Sequence, residues 1–330
     1  MFVLSVQKIN VIMDVGRLSR FQSLSDVESY FKTNDNSRNI VISSETPEVC
    51  KGEPCILGVD EAGRGPVLGP MVYGVSYCPL SKVDVFKDLG CADSKSLTET
   101  KREDIFENIF KYSDSIGWMV EAIAANTICN NMLRRQKYTL NQLAQDSTVN
   151  LIKKVLEQRV YIAEVYVDTV GPPEKYQERL SQIFPDLKIT VAKKADATYP
   201  VVSAASICAK VCRDTALKVW AFREGLALTA EEFGSGYPND PVTKKFLLEN
   251  MDPVFGFPQL VRFSWSTASR LLEDNAVNVE WEDIEEDAPA ESPRASLLPF
   301  LKRIPSSSGK ENRTKHPFFT ERNLKSTVTL

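Results

Sequence analysis

The sequence of 330 residues holds a single histidine, His316. That scarcity removes the routes that depend on imidazole: Ser-His-Asp or Cys-His nucleophiles and histidine-held zinc. The seven cysteines, at positions 50, 55, 78, 91, 129, 208 and 212, include no C-x-x-C pair. An odd, scattered set suits reduced intracellular thiols better than a disulfide framework or a thiolate zinc site. No stretch approaches the ~18 consecutive apolar residues of a membrane span. The mildly apolar start is interrupted by Lys8 and Asp14, which argues against a secretory leader. What remains for hydrolytic chemistry is carboxylates with a hard, oxygen-seeking cation such as Mg²⁺ or Mn²⁺.

The formal net charge of −4 speaks against a polyanionic partner only until it is divided along the chain. Residues 271–293 carry nine acids and no base, residues 294–330 eight bases and two acids, and residues 1–50 five bases and six acids. The stretch 51–270 is left with 27 of each. Four of those acids holding two divalent ions would bring the loaded core to about +4. The acidic balance belongs to the tail, and a nucleic-acid substrate stays open.

Residues 1–50 mix Ser, Asn and Asp with short apolar runs of no sustained period. They read as a poorly ordered extension with one helix near 23–31. From Pro54 onward, apolar and β-branched runs at 55–60, 71–77, 116–123, 161–168 and 187–191 predict five strands. Helices are expected over 97–110, where Ser96 and Glu99 have capping-box spacing, over 127–157 with a break, over 174–183, and from Pro200 to about 223. Gly and Pro punctuate 234–258, which reads as loops and short helices. The order implies an α/β fold: a mixed five-stranded sheet flanked by helices, with a C-terminal helical and loop extension. The catalytic unit is taken as 51–270. Residues 271–330, acidic and then Ser/Pro/Lys-rich, read as a low-order tail with Phe318 and Phe319 near its end.

Two of the predicted strands end on acid. Asp60 and Glu61 follow Ile56-Leu57-Gly58-Val59, and Asp168 follows the run 161–167. Parallel, adjacent strands would set Asp60 and Asp168 about 4.8 Å apart at the carboxyl edge, where ligands of open α/β sheets bind. Two divalent ions about 3.5–4 Å apart could be bridged there. Asp196, after the fifth strand and before a helix, projects from the same edge. Each acid alone has a bland reading, an N-cap for Asp196 and a solvated turn for the others. Two adjacent acids at the end of a buried strand, however, repel each other without a cation.

Gly63 and Gly65 can take φ > 0 and admit a close backbone, and Arg64 between them can grip a phosphate. A peptide group both donates and accepts, as a ribose 2′-OH does. Lys95, in Asp93-Ser94-Lys95, reads as a phosphate contact or an exposed lysine beside a helix cap. Ser203, Ser206 and Lys210 share a helix face that could meet a nucleic-acid backbone or plain solvent, with Arg213 one turn further along. Tyr237, in Gly236-Tyr237-Pro238-Asn239-Asp240, could stack on a sugar or base, or pack its own loop.

Together, Gly58-Val59-Asp60-Glu61-Ala62-Gly63-Arg64-Gly65-Pro66, Asp93-Ser94-Lys95, Val167-Asp168-Thr169-Val170-Gly171, Lys194-Ala195-Asp196, Ser203-Ala204-Ala205-Ser206-Ile207-Cys208-Ala209-Lys210 and Gly236-Tyr237-Pro238-Asn239-Asp240 closely resemble the type 2 ribonucleases H. Val254-Phe255-Gly256-Phe257-Pro258 and Val261-Arg262-Phe263-Ser264-Trp265 are similar to the eukaryotic catalytic subunits of that family. The resemblance implies an RNase H-like fold and two-metal hydrolysis with Asp60, Glu61, Asp168 and Asp196 as ligands. It implies that Gly63-Arg64-Gly65 reads the 2′-OH and that Tyr237 stacks on the deoxyribose just 3′ of the ribonucleotide. The expected substrates are RNA–DNA hybrids and single ribonucleotides embedded in DNA, cut on the 5′ side to leave a 3′-hydroxyl and a 5′-phosphate. It further implies a nuclear role in ribonucleotide and primer removal, a heterotrimer with two non-catalytic subunits, and a tail that docks a sister subunit or a replication clamp. A non-catalytic nucleic-acid-binding scaffold on the same fold, or a DNA-cutting nuclease, is the alternative.

Overall fold

The computed structural model describes residues 19–91, 97–136 and 138–278. All five expected strands form, but the sheet has seven. Its strands are β1 (Ser19–Arg20), β2 (Ile40–Ser43), β3 (Cys55–Ala62), β4 (Met71–Pro79), β5 (Gly117–Ile123), β6 (Ile162–Asp168) and β7 (Lys188–Ala192). They lie in the order β1-β2-β5-β4-β3-β6-β7. β4 pairs antiparallel with β3 and β5, whereas β3, β6 and β7 run parallel.

Residues 19–50 correct the sequence reading. They are built into the fold. The helix α1 (Leu24–Thr33) is capped by Ser23 and buries Val27 and Phe31, and β2 pairs antiparallel with β5. Ile40-Val41-Ile42 is too short to show a period; its hydrogen-bond partners lie some 80 residues further on. The helix α2 (Glu99–Lys111) is capped by Thr98, which accepts from the Lys101 N–H, in place of the expected Ser96 box. The long helical stretch breaks into α3 (Ala125–Leu133) and α4 (Leu140–Glu157), with a Thr139–Gln142 capping box opening the second. Then come α5 (Pro173–Ile183), α6 (Pro200–Lys218), α7 (Pro241–Glu249) and α8 (Ser266–Asn275). Helix α8 runs across residue 270, so the ordered fold passes the expected boundary there. Residues 279–330, with His316, Phe318 and Phe319, lie outside the described residues.

Strand alternation sends β3 residues to two faces. Cys55, Leu57 and Val59 join the core under α3, α4 and α5, whereas Ile56 and Ala62 join the core under α1, α2 and α6. A third cluster, with Phe233, Phe246, Leu260 and Val261, holds the C-terminal helices against Val67 and Leu68.

Helix α6 lies unusually close to the sheet. A Cβ on Gly58 would come within 2.5 Å of the Val201 carbonyl carbon and oxygen, and one on Gly74 within 2.7 Å of the Ala205 oxygen. Ser76 Oγ donates to the Val201 oxygen at 2.7 Å. These two glycines, facing the small residues of α6, set the height of the helix and of everything attached to its start. Gly58→Ala is therefore expected to cost about 1–3 kcal/mol, the usual penalty of overpacking. Urea unfolding should show a lower midpoint at unchanged slope; an unchanged midpoint would mean the helix can lift freely.

A candidate metal and nucleic-acid site at the carboxyl edge of β3 and β6

The parallel pairing of β3 with β6 ends at Val59 opposite Val167. The next residues are Asp60 and Asp168, side by side. Both lie on the α6 face, as Ile56 and Tyr166 do. The sequence reading ended β3 at Asp60. It in fact continues to Ala62, because β4 still pairs with it, with Asp60 opposite Gly74 and Glu61 opposite Tyr73. Glu61 therefore points to the opposite face and stands half-buried at the rim.

Asp60 is 5% exposed. Burial, then the charges of Glu61 and Asp168, hold its carboxyl well above the ordinary carboxylate range, opposed by hydrogen bonds from the Ser206 side chain and the Glu61 N–H. It is no solvated turn residue. Asp168 accepts the Ala195 N–H at 2.7 Å, which ties the end of β6 to the single turn Ala195–Thr198. That turn follows Lys194, held in the left-handed region at φ 56°. Asp196, in the turn, is 3% exposed. It does not cap α6, whose N-cap is Tyr199.

Among the described residues no three acid, thiol or imidazole groups form a ready-made metal cage. The donor set nevertheless suits hard divalent cations, which take one or two carboxylates and complete their shell with water and substrate phosphate. Carboxylates that raise one another's proton affinity are the groups a cation would relieve.

The turn after Glu61 is held from beneath. Gly63 has φ 74°, and a Cβ there would meet Arg213 Cδ and Nε at 2.5 Å. Gly65, which could also take a positive φ, does not. Its carbonyl accepts from Trp265 Nε1 at 3.1 Å. Arg262, fully buried, donates Nε to the Gly69 oxygen at 2.8 Å, Nη2 to the Gly63 oxygen at 2.7 Å and Nη1 to the Arg64 oxygen at 3.2 Å. Sequence reading gave Arg262 no role, since nothing local marks an arginine that ends on carbonyls about 200 positions away.

Tyr237 is 51% exposed, and its ring lies 4.0 Å from where a Gly65 Cβ would be. It lines a cavity of about 620 Å³ together with Glu61, Gly63, Lys210 and Arg213. The loop beneath Tyr237 is pinned by Asp240, which accepts from the Ser235 N–H and hydroxyl and whose pKa falls to about 2. Ser203 is fully buried, as is Ser206 but for 1%, and the Ser206 side chain hydrogen-bonds Asp60. The close packing over Gly58 and Gly74 buries that end of the face. Lys210, two turns on, and Arg213 reach the cavity. Lys95 lies outside the described residues.

The family model for Ribonuclease HII matches residues 57–268. A relative from Bos taurus, one subunit of its ribonuclease H2, is 50% identical over 296 residues, covering 90% of this chain and 97% of the relative. The ribonuclease H2 structure from Pyrococcus horikoshii superposes with a TM-score of 0.55 at 33% identity, over 67% of this chain and 98% of that one. The RNase HII of Archaeoglobus fulgidus, solved in complex with PCNA, gives 0.53 at 30% identity, over 66% and 99%. With Asp60 and Asp168 side by side at one sheet edge and this likeness across most of its length, the chain belongs to the ribonuclease HII family and is a ribonuclease H.

Proposed function

We propose that the chain, a ribonuclease H acting on the RNA strand of RNA–DNA hybrids, also cuts duplex DNA on the 5′ side of a single embedded ribonucleotide, leaving a 3′-hydroxyl and a 5′-phosphate. One observation carries this reading: Gly63, Tyr237 and Lys210 line one cavity with Glu61, the residue next to Asp60 at the edge where β3 and β6 end. Asp60, Glu61, Asp168 and Asp196 would hold two divalent ions, Mg²⁺ or Mn²⁺. Such ions supply Lewis-acid activation of water and charge stabilisation at the departing oxygen.

The chain's own residues do the recognising. Arg262 bonds two carbonyls of the turn, Gly63 and Arg64, and the nearby Gly69 carbonyl, so the turn's peptide groups are presented without reorganisation. A fixed peptide that pairs with a ribose 2′-OH is left unpaired by deoxyribose, which costs a DNA strand the contact. Tyr237, exposed on its pinned loop, offers a flat face to the adjoining deoxyribose.

The Bos taurus relative is named as one subunit of its enzyme, which supports assembly of this chain with other subunits; we take these to be two, both non-catalytic. The Archaeoglobus complex with PCNA supports association with a replication clamp. Seven cysteines, all free and buried, suit a reducing compartment such as the nucleus.

The test is the cut position on a labelled duplex carrying one ribonucleotide. A single nick 5′ of that residue is expected, with the all-DNA control cut far more slowly. A nick on its 3′ side, or cutting of the control at a comparable rate, would sink the reading. In Gly63→Ala the added Cβ strains the left-handed turn and pushes into Arg213. The kcat/KM ratio of ribonucleotide to all-DNA substrate should fall about 10–100-fold, the worth of a recognition hydrogen bond.

A further inference from the structure

The Gly63-Arg64-Gly65 turn divides two cavities that share Glu61 at their boundary. Gly63 and Tyr237 face the first. Arg64 lines the second, a space of about 510 Å³ on the Tyr73 and Tyr176 side of the sheet that also holds Asp168 and Lys175. This volume is in the range of about 300–1,000 Å³ that bound groups occupy. The function proposed above makes no use of it.

Three features give this space a chemical character. Arg64 is aimed: its Nη2 donates to Asn141 Oδ1. Asn141 is itself fixed, in the first turn of α4, two residues after the Thr139 cap and within the Thr139–Gln142 capping box. Arg64 and Lys175 are also uncommitted cations. Among the described residues neither forms an ion pair, whereas nearby Arg179 is paired with Asp146 at 2.8 Å. Two unpaired cations across a cavity from two acids leave a charge pattern suited to a polyanion that continues past the acids.

We infer that this second cavity is a subsite for a phosphodiester of the cleaved strand, on the side of the scissile linkage away from Tyr237. Arg64 and Lys175 are its cationic contacts, and Asn141 is the positioning residue of Arg64. The inference rests on the proposed function. With Tyr237 on the 3′ side of the ribonucleotide, the subsite takes a linkage on the 5′ side.

The experiment measures binding of full-length protein to a duplex with one ribonucleotide, by fluorescence anisotropy in EDTA so that no cutting intervenes. Lys175→Ala should raise Kd about 5–10-fold and flatten the log Kd against log salt slope by about 1, while Lys175→Arg stays near wild type. A single methylphosphonate within three linkages 5′ of the ribonucleotide should weaken wild type and leave Lys175→Ala unchanged. Asn141→Ala should weaken binding about threefold, and add nothing in an Arg64→Ala background. Wild-type affinity in Lys175→Ala, interference confined to 3′ linkages, or additive Asn141 and Arg64 effects would each overturn the subsite. Cut-site mapping on the same duplex keeps the two readings apart. A nick elsewhere with the interference pattern intact sinks the cleavage proposal alone, and a correct nick with Lys175→Ala unaffected sinks the subsite alone.

Discussion

Asp168→Asn lowers single-turnover hydrolysis of the RNA strand about 10³-fold or more and leaves hybrid affinity within about threefold. The structural reason is a separation of roles in one side chain. Asp168 Oδ1 takes the Ala195 N–H at 2.7 Å, and an asparagine carbonyl can keep that bond. The turn that carries Asp196 then stays in place. What disappears is a negative charge beside Asp60, and a neutral amide is a poor ligand for a hard divalent ion. Metal-borne stabilisation of a phosphoryl transition state is worth several kcal/mol, and about 4 kcal/mol corresponds to the stated factor. Stability should move the other way. Asp168 is one of the charges that disfavour ionised Asp60, so its removal relieves repulsion in metal-free protein. Melting curves with and without Mg²⁺ check this. Wild type should gain stability from the ion by linkage, and the variant should lose most of that gain without melting earlier in EDTA. Wild-type turnover would remove Asp168 from the metal set; a large drop in metal-free stability would make it a structural residue.

That the acids were legible in the sequence, and the neighbourhood less so, follows from the range of the forces involved. A carboxylate at the end of an apolar β-branched run is a local contradiction, visible because burying charge is costly. Asp60 and Asp168 were therefore placed correctly at one edge, and Ile189 and Val191 marked β7. Strand β1 has two residues and β2 four, and their pairing partners are distant, so no local period could reveal them. The end of β3 was misjudged by two residues because β4, not the run itself, decides where it stops. The burial of Ser203 comes from the closeness of α6 to the sheet, and the signal for it was present: glycines at 58 and 74 inside strands often mark a backbone approaching closely, here α6. Of the two glycines able to take φ > 0 in this turn, Gly63 does so and Gly65 does not, a choice made by the tertiary contacts around the turn and not by the local sequence.

Arg262→Met is expected to lower stability by about 3–5 kcal/mol, and Arg262→Lys to fold better yet lose much of the preference for ribonucleotide over DNA. The guanidinium is 0% exposed and bonds the carbonyls of Gly63, Arg64 and Gly69, with its plane against Trp265 at 4.9 Å. Burial and the like charge of Arg213 depress its pKa to about 9, which leaves it charged at neutral pH. Methionine fills the volume and leaves three acceptors without donors, at about 1–3 kcal/mol for each one that water cannot reach. For a domain of this size that corresponds to a fall in Tm of roughly 10 °C. Lysine keeps the charge, but a point ammonium cannot span carbonyls that a rigid fork bridges. The turn would then lose at least one of its two guanidinium contacts, at Gly63 and Arg64, and be free to adapt to deoxyribose as readily as to ribose. A purely structural arginine predicts loss of activity in proportion to loss of folded protein, on every substrate alike. A positioning arginine predicts that the Lys variant, measured well below its Tm, keeps its hybrid affinity while the ribonucleotide-to-DNA ratio of kcat/KM drops about tenfold. An unchanged ratio in that variant would mean that the turn keeps its shape without the fork, and that Arg262 is there for stability alone.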